Sequence, residues 1–249
     1  MKTSQSSVPV DGDLVERSSV NYPIVYSHTQ IHKAPVDLLR KNRILGSASD
    51  KEVIKAYKML RTQVLKKLNE SNWNSVGILS ARSGDGATLT SINLAICIAL
   101  EFRHTVMLVD FNLRNPSIHR YFDFEPEFGL SDFVLSGEPV TNMLFTPNIE
   151  SLVVLPGRQA LVDSSERLNS THVASLVQDI KARYPNRIII FDLPPMLEND
   201  DAIAFLDHFD AGLLVIKDGS TSKADVTRMS ELLGEKPILG SVFNDSKST

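Results

Sequence analysis

Ser83, Gly84, Asp85, Gly86, Ala87 and Thr88 form a small-residue turn between an apolar run at 76–80 and a largely apolar stretch of about four turns. Loop amides followed by a helix N-terminus make an anion site, because several unsatisfied N–H groups and the positive end of the helix dipole converge there. The phosphate-loop pattern G-x-x-x-x-G-K-[ST] is met at Gly86 and Thr88. It fails at position 87, where Ala stands in place of the lysine that reaches the β and γ phosphates. A phosphate site is legible here, but its main electrostatic contribution to group transfer is missing.

Two carboxylates complete the constellation. Asp110 closes the run TVMLVD and Asp192 closes RIIIFD, which puts both at strand ends, the edge where open α/β sheets bind ligands. With Thr88 they form a candidate set for Mg²⁺, since a hydroxyl at the loop end and a strand-end carboxylate are the oxygen donors of phosphate-loop metal sites. The bland alternative makes Thr88 an ordinary helix residue and the two Asp residues loop caps. Arg114, four residues after Asp110, has the donor fork to meet a phosphate or a carboxylate. Asn112 can hold water but is a poor proton acceptor. His119 lies among aromatics and reads as packed. Cys97 sits in an apolar run and reads as core, with nothing nearby in sequence to lower its pKa.

The elements that must position these groups follow from periodicity. Apolar runs at 76–80, 105–110, 151–155, 187–192, 211–217 and 238–243 alternate with helical patterns. This order predicts a doubly wound α/β fold, a mostly parallel sheet with helices on both faces. Before it, residues 50–70 repeat Val53, Ala56, Tyr57, Leu60, Val64, Leu65 and Leu68 at helical spacing, with Lys55, Lys58, Arg61, Lys66 and Lys67 on the other side. Residues 1–45 carry Pro9, Pro23 and Pro35 without a sustained period and read as a flexible N-terminal arm, with 46–249 as the domain. The segment 19–28 is apolar enough to add to another surface.

The 249 residues suffice for a full core. A formal net charge of −4 gives no support for nonspecific nucleic-acid binding, and no nucleic-acid partner is expected. The single cysteine excludes a disulfide framework. No uncharged apolar run reaches membrane-spanning length and the first residues lack a signal-peptide core, so a cytoplasmic protein is expected, with membrane recruitment left to a partner.

SARSGDGATLTSINLAICIA, VMLVDFNLRNPSIHRYF with GLSDFVLSG, IIIFDLPPMLENDDA and ILGSVFN, in this order, resemble the bacterial tyrosine kinases of capsule and exopolysaccharide synthesis. These form a branch of the deviant-Walker phosphate-loop ATPases, and the resemblance covers roughly residues 45–245. It implies a cytoplasmic kinase domain that uses Mg²⁺ with ATP, forms rings and works beside a membrane-bound polysaccharide chain-length regulator. On the matching positions, it assigns Ser83 through Thr88 to the nucleotide loop, Asp110, Asp192 and Arg114 to catalysis, and Asn244 to base contact. Thr88, Asp110 and Asp192 are its metal positions, and Asp201 also matches.

Departures weaken the active-kinase reading. Ala87 replaces the loop lysine, Ser83 replaces the usual Pro, and Asn112 replaces an acid. The ring-packing motif E-x-x-R-x-x-R is Lys55, Lys58 and Arg61, so its acidic member has reversed sign and a monomer or homodimer is expected. No tyrosine follows Tyr184, whereas family members carry a C-terminal tyrosine cluster. The expectation is a catalytically impaired, kinase-like regulator or scaffold of polysaccharide assembly, binding ATP or ADP with Mg²⁺ weakly or not at all. The alternatives are an active autokinase with a rearranged site and a partitioning or positioning ATPase.

Overall fold

β-Branched and aliphatic runs that are apolar on both faces can only be satisfied in a sheet covered on both sides. In the computed structural model, which describes residues 29–246 except 47, 48, 102 and 185, that is where they lie. The chain runs β1 (Gln30–Ile31), α1 (Val36–Lys41), α2 (Lys51–Ser71), β2 (Ser75–Ser80), α3 (Ala87–Ala99) and β3 (Thr105–Asp110). There follow α4 (Ile118–Tyr121), α5 (Leu130–Ser136), β4 (Phe145–Thr146), β5 (Leu152–Leu155), α6 (Ser164–Leu168), α7 (Thr171–Arg183) and β6 (Arg187–Asp192). The last elements are α8 (Asp201–Ala204), β7 (Ala211–Lys217), α9 (Lys223–Leu233) and β8 (Ile238–Asn244).

The strands form one sheet in the order β1-β4-β5-β3-β6-β2-β7-β8. Every pair is parallel except β4 with β5. The order places β2, which feeds the loop, between β6 and β7. Alternate residues of each strand point to opposite faces, and two apolar clusters result. Val76, Ile78, Val106, Leu108 and Ile190 meet the buried residues of α2 and α3 on one face. Leu79, Met107, Val109, Ile189 and Phe191 meet α7, Phe205 and α9 on the other. The doubly wound expectation holds.

The expected arm is different in its second half. Residues 29–45 are not separate from the domain: β1 pairs with β4, and Ala34 and Ile44 enter the core. Asn93 of α3 accepts from the Leu45 amide and donates to the Arg43 carbonyl. Proline-rich sequence without periodicity hid this because the packing is to residues far along the chain. Residues 1–28, including the segment 19–28 with Tyr22 and Tyr26, lie outside the described residues.

Helix α2 forms as expected, capped by the Asp50 carboxylate on the Glu52 amide and closed by Asn72 in the left-handed conformation. Only Val64, Leu65 and Leu68 of its stripe are buried. Val53 and Ala56 are exposed, so the N-terminal half of the helix stands off the core. Helix α7 is capped by Ser170, whose hydroxyl accepts from the Val173 amide; Ser165 belongs to the preceding α6.

Candidate functional site

Gly84 and Gly86 take φ of +85° and +94°, values that cost a side-chain-bearing residue. They bend the chain from the end of β2 into α3, whose 13 residues are all buried except Thr88 and Leu89. The loop is braced internally: the Asp85 carboxylate accepts from the Arg82 amide at 2.9 Å. It is braced externally by Asn244 at the end of β8, whose Nδ2 donates to the Asp85 carbonyl at 2.8 Å. A Cβ on Gly86 would lie 2.0 Å from that same nitrogen. Asn244 is therefore brought to the loop, as a support for its backbone. The amides of Gly84, Gly86, Ala87 and Thr88 meet no acceptor among the described residues, which leaves them as donors for an anion.

Beneath the loop, Thr88 Oγ1 donates to Asp192 Oδ2 at 2.8 Å and Ser91 Oγ donates to Asp192 Oδ1 at 2.9 Å. Asp110 is the register partner of Asp192 across β3 and β6. Its Oδ2 accepts from the amides of Ser117 and Ile118 at 2.9 and 3.0 Å. Its Oδ1 is buried without a completed hydrogen bond, although the amides of Asn112 and Gly157 approach the carboxylate. Both carboxyls are pushed above the usual carboxylate range, first by burial and, for Asp192, also by the neighbouring Asp110.

Two adjacent buried carboxylates, one oxygen among them unpaired, and a threonine hydroxyl form a donor set that suits a hard cation such as Mg²⁺. Among the described residues no group of three or more His, Cys, Asp or Glu converges. Bound phosphates and water would have to complete such a coordination shell, which is the usual arrangement for Mg²⁺ with a nucleotide. The candidate metal residues Thr88, Asp110 and Asp192 are thus brought together.

Arg114 is engaged by carboxylates. Its Nε and Nη2 hold the buried Asp201 at 2.9 and 2.8 Å, and its Nη1 donates to the Val162 carbonyl. Ser164 hydrogen-bonds the other oxygen of Asp201. In this arrangement Arg114 pins the segments that follow β3, β5 and β6 to one another, the carboxylate contact being one of the two that its donor fork allowed. Asn112 Oδ1 accepts from the Asn115 amide at 3.3 Å, within a turn. His119 is buried, and burial lowers its pKa. Cys97 is a buried free thiol, its pKa raised by burial, as expected of a core residue.

Four participants escaped the sequence reading. Ser91 is the second donor to Asp192, one helical turn after Ala87, and that spacing was available as a signal. Glu198 accepts from the Ser83 amide at 2.8 Å. Asp225 holds Arg82 at 2.8 Å, and the guanidinium keeps the Asp225 carboxyl well below the usual range. Lys217 reaches the Gly84 carbonyl with its Nζ at 3.3 Å. The exposed Glu198 carboxylate at the loop rim opposes an incoming polyphosphate. Glu198→Ala is expected to tighten ATP binding by roughly 0.2–1 kcal/mol, the range for exposed charge pairs. The gain should shrink as salt is added; calorimetry at two ionic strengths checks it.

No protein-family model matches the chain. The tyrosine-protein kinase YwqD of Bacillus subtilis (strain 168) is 30% identical over 221 residues, spanning 84% of this chain and 91% of that relative. The putative tyrosine-protein kinase CapB of Staphylococcus aureus is 24% identical over 190 residues, spanning 76% and 82%. Among solved structures, the kinase domain of Escherichia coli tyrosine kinase ETK superposes with a TM-score of 0.71 at 22% identity, covering 89% of this chain and 92% of that one. The cell division ATPase MinD of Pyrococcus furiosus shares the fold at a TM-score of 0.58 and 21% identity, with 68% and 71% covered. Matched motifs, parallel strand order and near full-length similarity to YwqD agree, and the chain belongs to the bacterial tyrosine-kinase family of capsule and exopolysaccharide synthesis, within the phosphate-loop ATPases.

Proposed function

We propose that the protein is a kinase-like regulator or scaffold of polysaccharide assembly that binds ATP or ADP with Mg²⁺ and does not run the family's phosphoryl transfer. The observation that carries this is the loop itself. Its amides stay open and Thr88 is seated on Asp192, while the residue at the transfer position is Ala87. Binding draws on many amides at once, whereas transfer needs charge placed on the γ phosphate, so the second function is the more sensitive to this replacement.

Acceptor supply supports the same reading. Tyr57, Tyr121 and Tyr184 are each partly covered, and burial raises the pKa of Tyr57 and Tyr121. The Arg187 guanidinium lies 3.9 Å over the Tyr184 ring. The assembly surface has changed too. Lys55 has an exposed partner in Glu52 at 3.9 Å, and Arg61 is turned to Glu101 at 3.2 Å within the chain. A monomer or dimer is the state this surface favours, acting in the cytoplasm beside a membrane-bound chain-length regulator or related export machinery. No helix of the described residues is long and apolar enough to cross a membrane.

The test is calorimetric titration with ATP and ADP, with and without Mg²⁺, followed by mass spectrometry after incubation with Mg²⁺ and ATP. Binding without stoichiometric phosphotyrosine is expected. Phosphotyrosine at Tyr22 or Tyr26 that disappears in Asp192→Asn would establish the active reading instead, and absence of any nucleotide binding would remove the present one.

A further inference from the structure

We propose that Lys217, at the end of β7, supplies the phosphate-binding ammonium that the loop lacks at Ala87. The inference rests on the nucleotide-binding reading above and assigns a residue to it that the loop motif does not contain.

Strand order makes this geometry available. β7 lies beside β2 in parallel register, with Ser80 opposite Val215. β2 turns into the loop at Ser80 while β7 continues two residues further to Lys217. The backbone of Lys217 is held on two sides. It is the register partner of Asn244 on β8, and its amide donates to Thr221 Oγ1 at 2.9 Å in the turn that follows. Lys217 and Asn244 then act on consecutive loop carbonyls, Lys217 on Gly84 and Asn244 on Asp85. The fixed part is the main chain. The moving part is an ammonium on a flexible four-carbon stem.

Two other candidate cations, Arg82 and Arg114, are committed. Arg82 is bound to Asp225 at 2.8 Å, and Arg114 to Asp201 at 2.8 Å. Moving either toward a phosphate would break a charge pair and, for Asp201, strand a fully buried carboxylate. Lys217 gives up only one long hydrogen bond to a neutral carbonyl and forms no ion pair among the described residues. Exchanging that carbonyl for a polyphosphate oxygen makes a charge-assisted bond, the stronger kind. The ammonium thus comes from the adjacent strand, at the same edge of the sheet, in place of the first turn of α3.

The experiment titrates ATP, ADP and adenosine, with Mg²⁺, into the full chain as wild type, Lys217→Met, Lys217→Arg, Ala87→Lys and the double variant Ala87→Lys with Lys217→Met. Lys217→Met is expected to weaken ATP and ADP binding by roughly ten- to a hundredfold, the worth of one charge-assisted hydrogen bond. Adenosine binding should be unchanged, and Lys217→Arg should recover part of the loss. In the Ala87→Lys background the same Lys217→Met change should cost less, since the two ammoniums would serve one charge. Equal ATP affinity in wild type and Lys217→Met overturns the inference and leaves the nucleotide site standing. A parallel loss of adenosine binding also overturns it, by showing a structural role. No ATP binding by the wild type would remove the nucleotide reading and this inference together.

Discussion

In the Lys217→Met background Ala87→Lys should strengthen ATP binding by roughly 1.5–3 kcal/mol, the range for hydrogen bonds to charged groups, and by less where Lys217 already serves the same charge. The position is right for it, since residue 87 is the first of α3 and follows the left-handed Gly86. Packing opposes it: Ala87 is 8% exposed and belongs to the core cluster under α3. A lysine stem must run out along the loop, keeping its ammonium in the wet site while its methylenes stay covered. If it cannot, overpacking costs about 1–3 kcal/mol of stability. Thermal unfolding and calorimetric titration of the same variant therefore separate a failed fit from a failed site. Turnover should stay low, because Asn112 is not a carboxylate and is tied to the Asn115 amide, and transfer depends on all parts being placed together. Unchanged affinity in a fully stable Ala87→Lys, Lys217→Met double variant, compared with Lys217→Met alone, would mean that the loop amides are not a phosphate site. Rapid phosphate release would show that Ala87 alone had silenced the enzyme.

Asp192→Asn should move stability and cation response in opposite directions. Asp192 and Asp110 are both fully buried and register partners, and burial raises both carboxyls, with Asp110 adding to the rise at Asp192. A carboxyl raised in the folded state holds a proton that the unfolded chain releases near pH 4. Folded protein therefore binds more protons than unfolded protein above that pH, and by linkage stability falls as pH rises toward the raised values. Each unit of rise corresponds to about 1.4 kcal/mol once the group is forced to ionise. Removing one charge ends that repulsion, while an amide oxygen can still accept from Ser91 or Thr88.

The expected result, without added cation, is a wild-type Tm that declines from pH 5 to pH 8 and an Asp192→Asn Tm that is flatter and higher at pH 8. Added Mg²⁺ with ATP should raise the wild-type Tm more at pH 8 than at pH 5, because the cation competes with the proton. In Asp192→Asn it should raise Tm little at either. A wild-type Tm independent of pH, or a variant stabilised by Mg²⁺ as much as the wild type, would contradict the assignment of this pair. Such a conflict between local stability and site chemistry is common where like charges are held together for function.

Much of this molecule is local information. The apolar runs at 76–80, 105–110, 187–192, 211–217 and 238–243 became β2, β3, β6, β7 and β8 nearly residue for residue; the central β2, β3 and β6 are buried almost throughout, and a strand buried on both faces must be apolar along its length. Gly84, Gly86 and Thr88 marked the loop, since glycine and a hydroxyl at that spacing have few other uses before a buried helix. The replacement at Ala87 is also a fact of sequence alone.

Adjacency was not local. Thr88 meets Asp192 across 104 positions, Lys217 meets Gly84 across 133, and Asn244 meets Asp85 across 159. Those contacts exist because the sheet order sets β2 between β6 and β7 with β8 outside them, an order that no periodicity encodes. Arg114 shows the same limit: its spacing from Asp110 left a phosphate and a carboxylate both open as partners, and chain folding set the buried Asp201 beside it. Residues 29–45 likewise read as an arm because their partners on β4 and α3 lie far along the chain. Sequence by itself determined which groups this protein has for nucleotide chemistry. Only the tertiary structure decided which charge stands next to which, because side chains brought together by strand order leave no mark in the spacing of either segment.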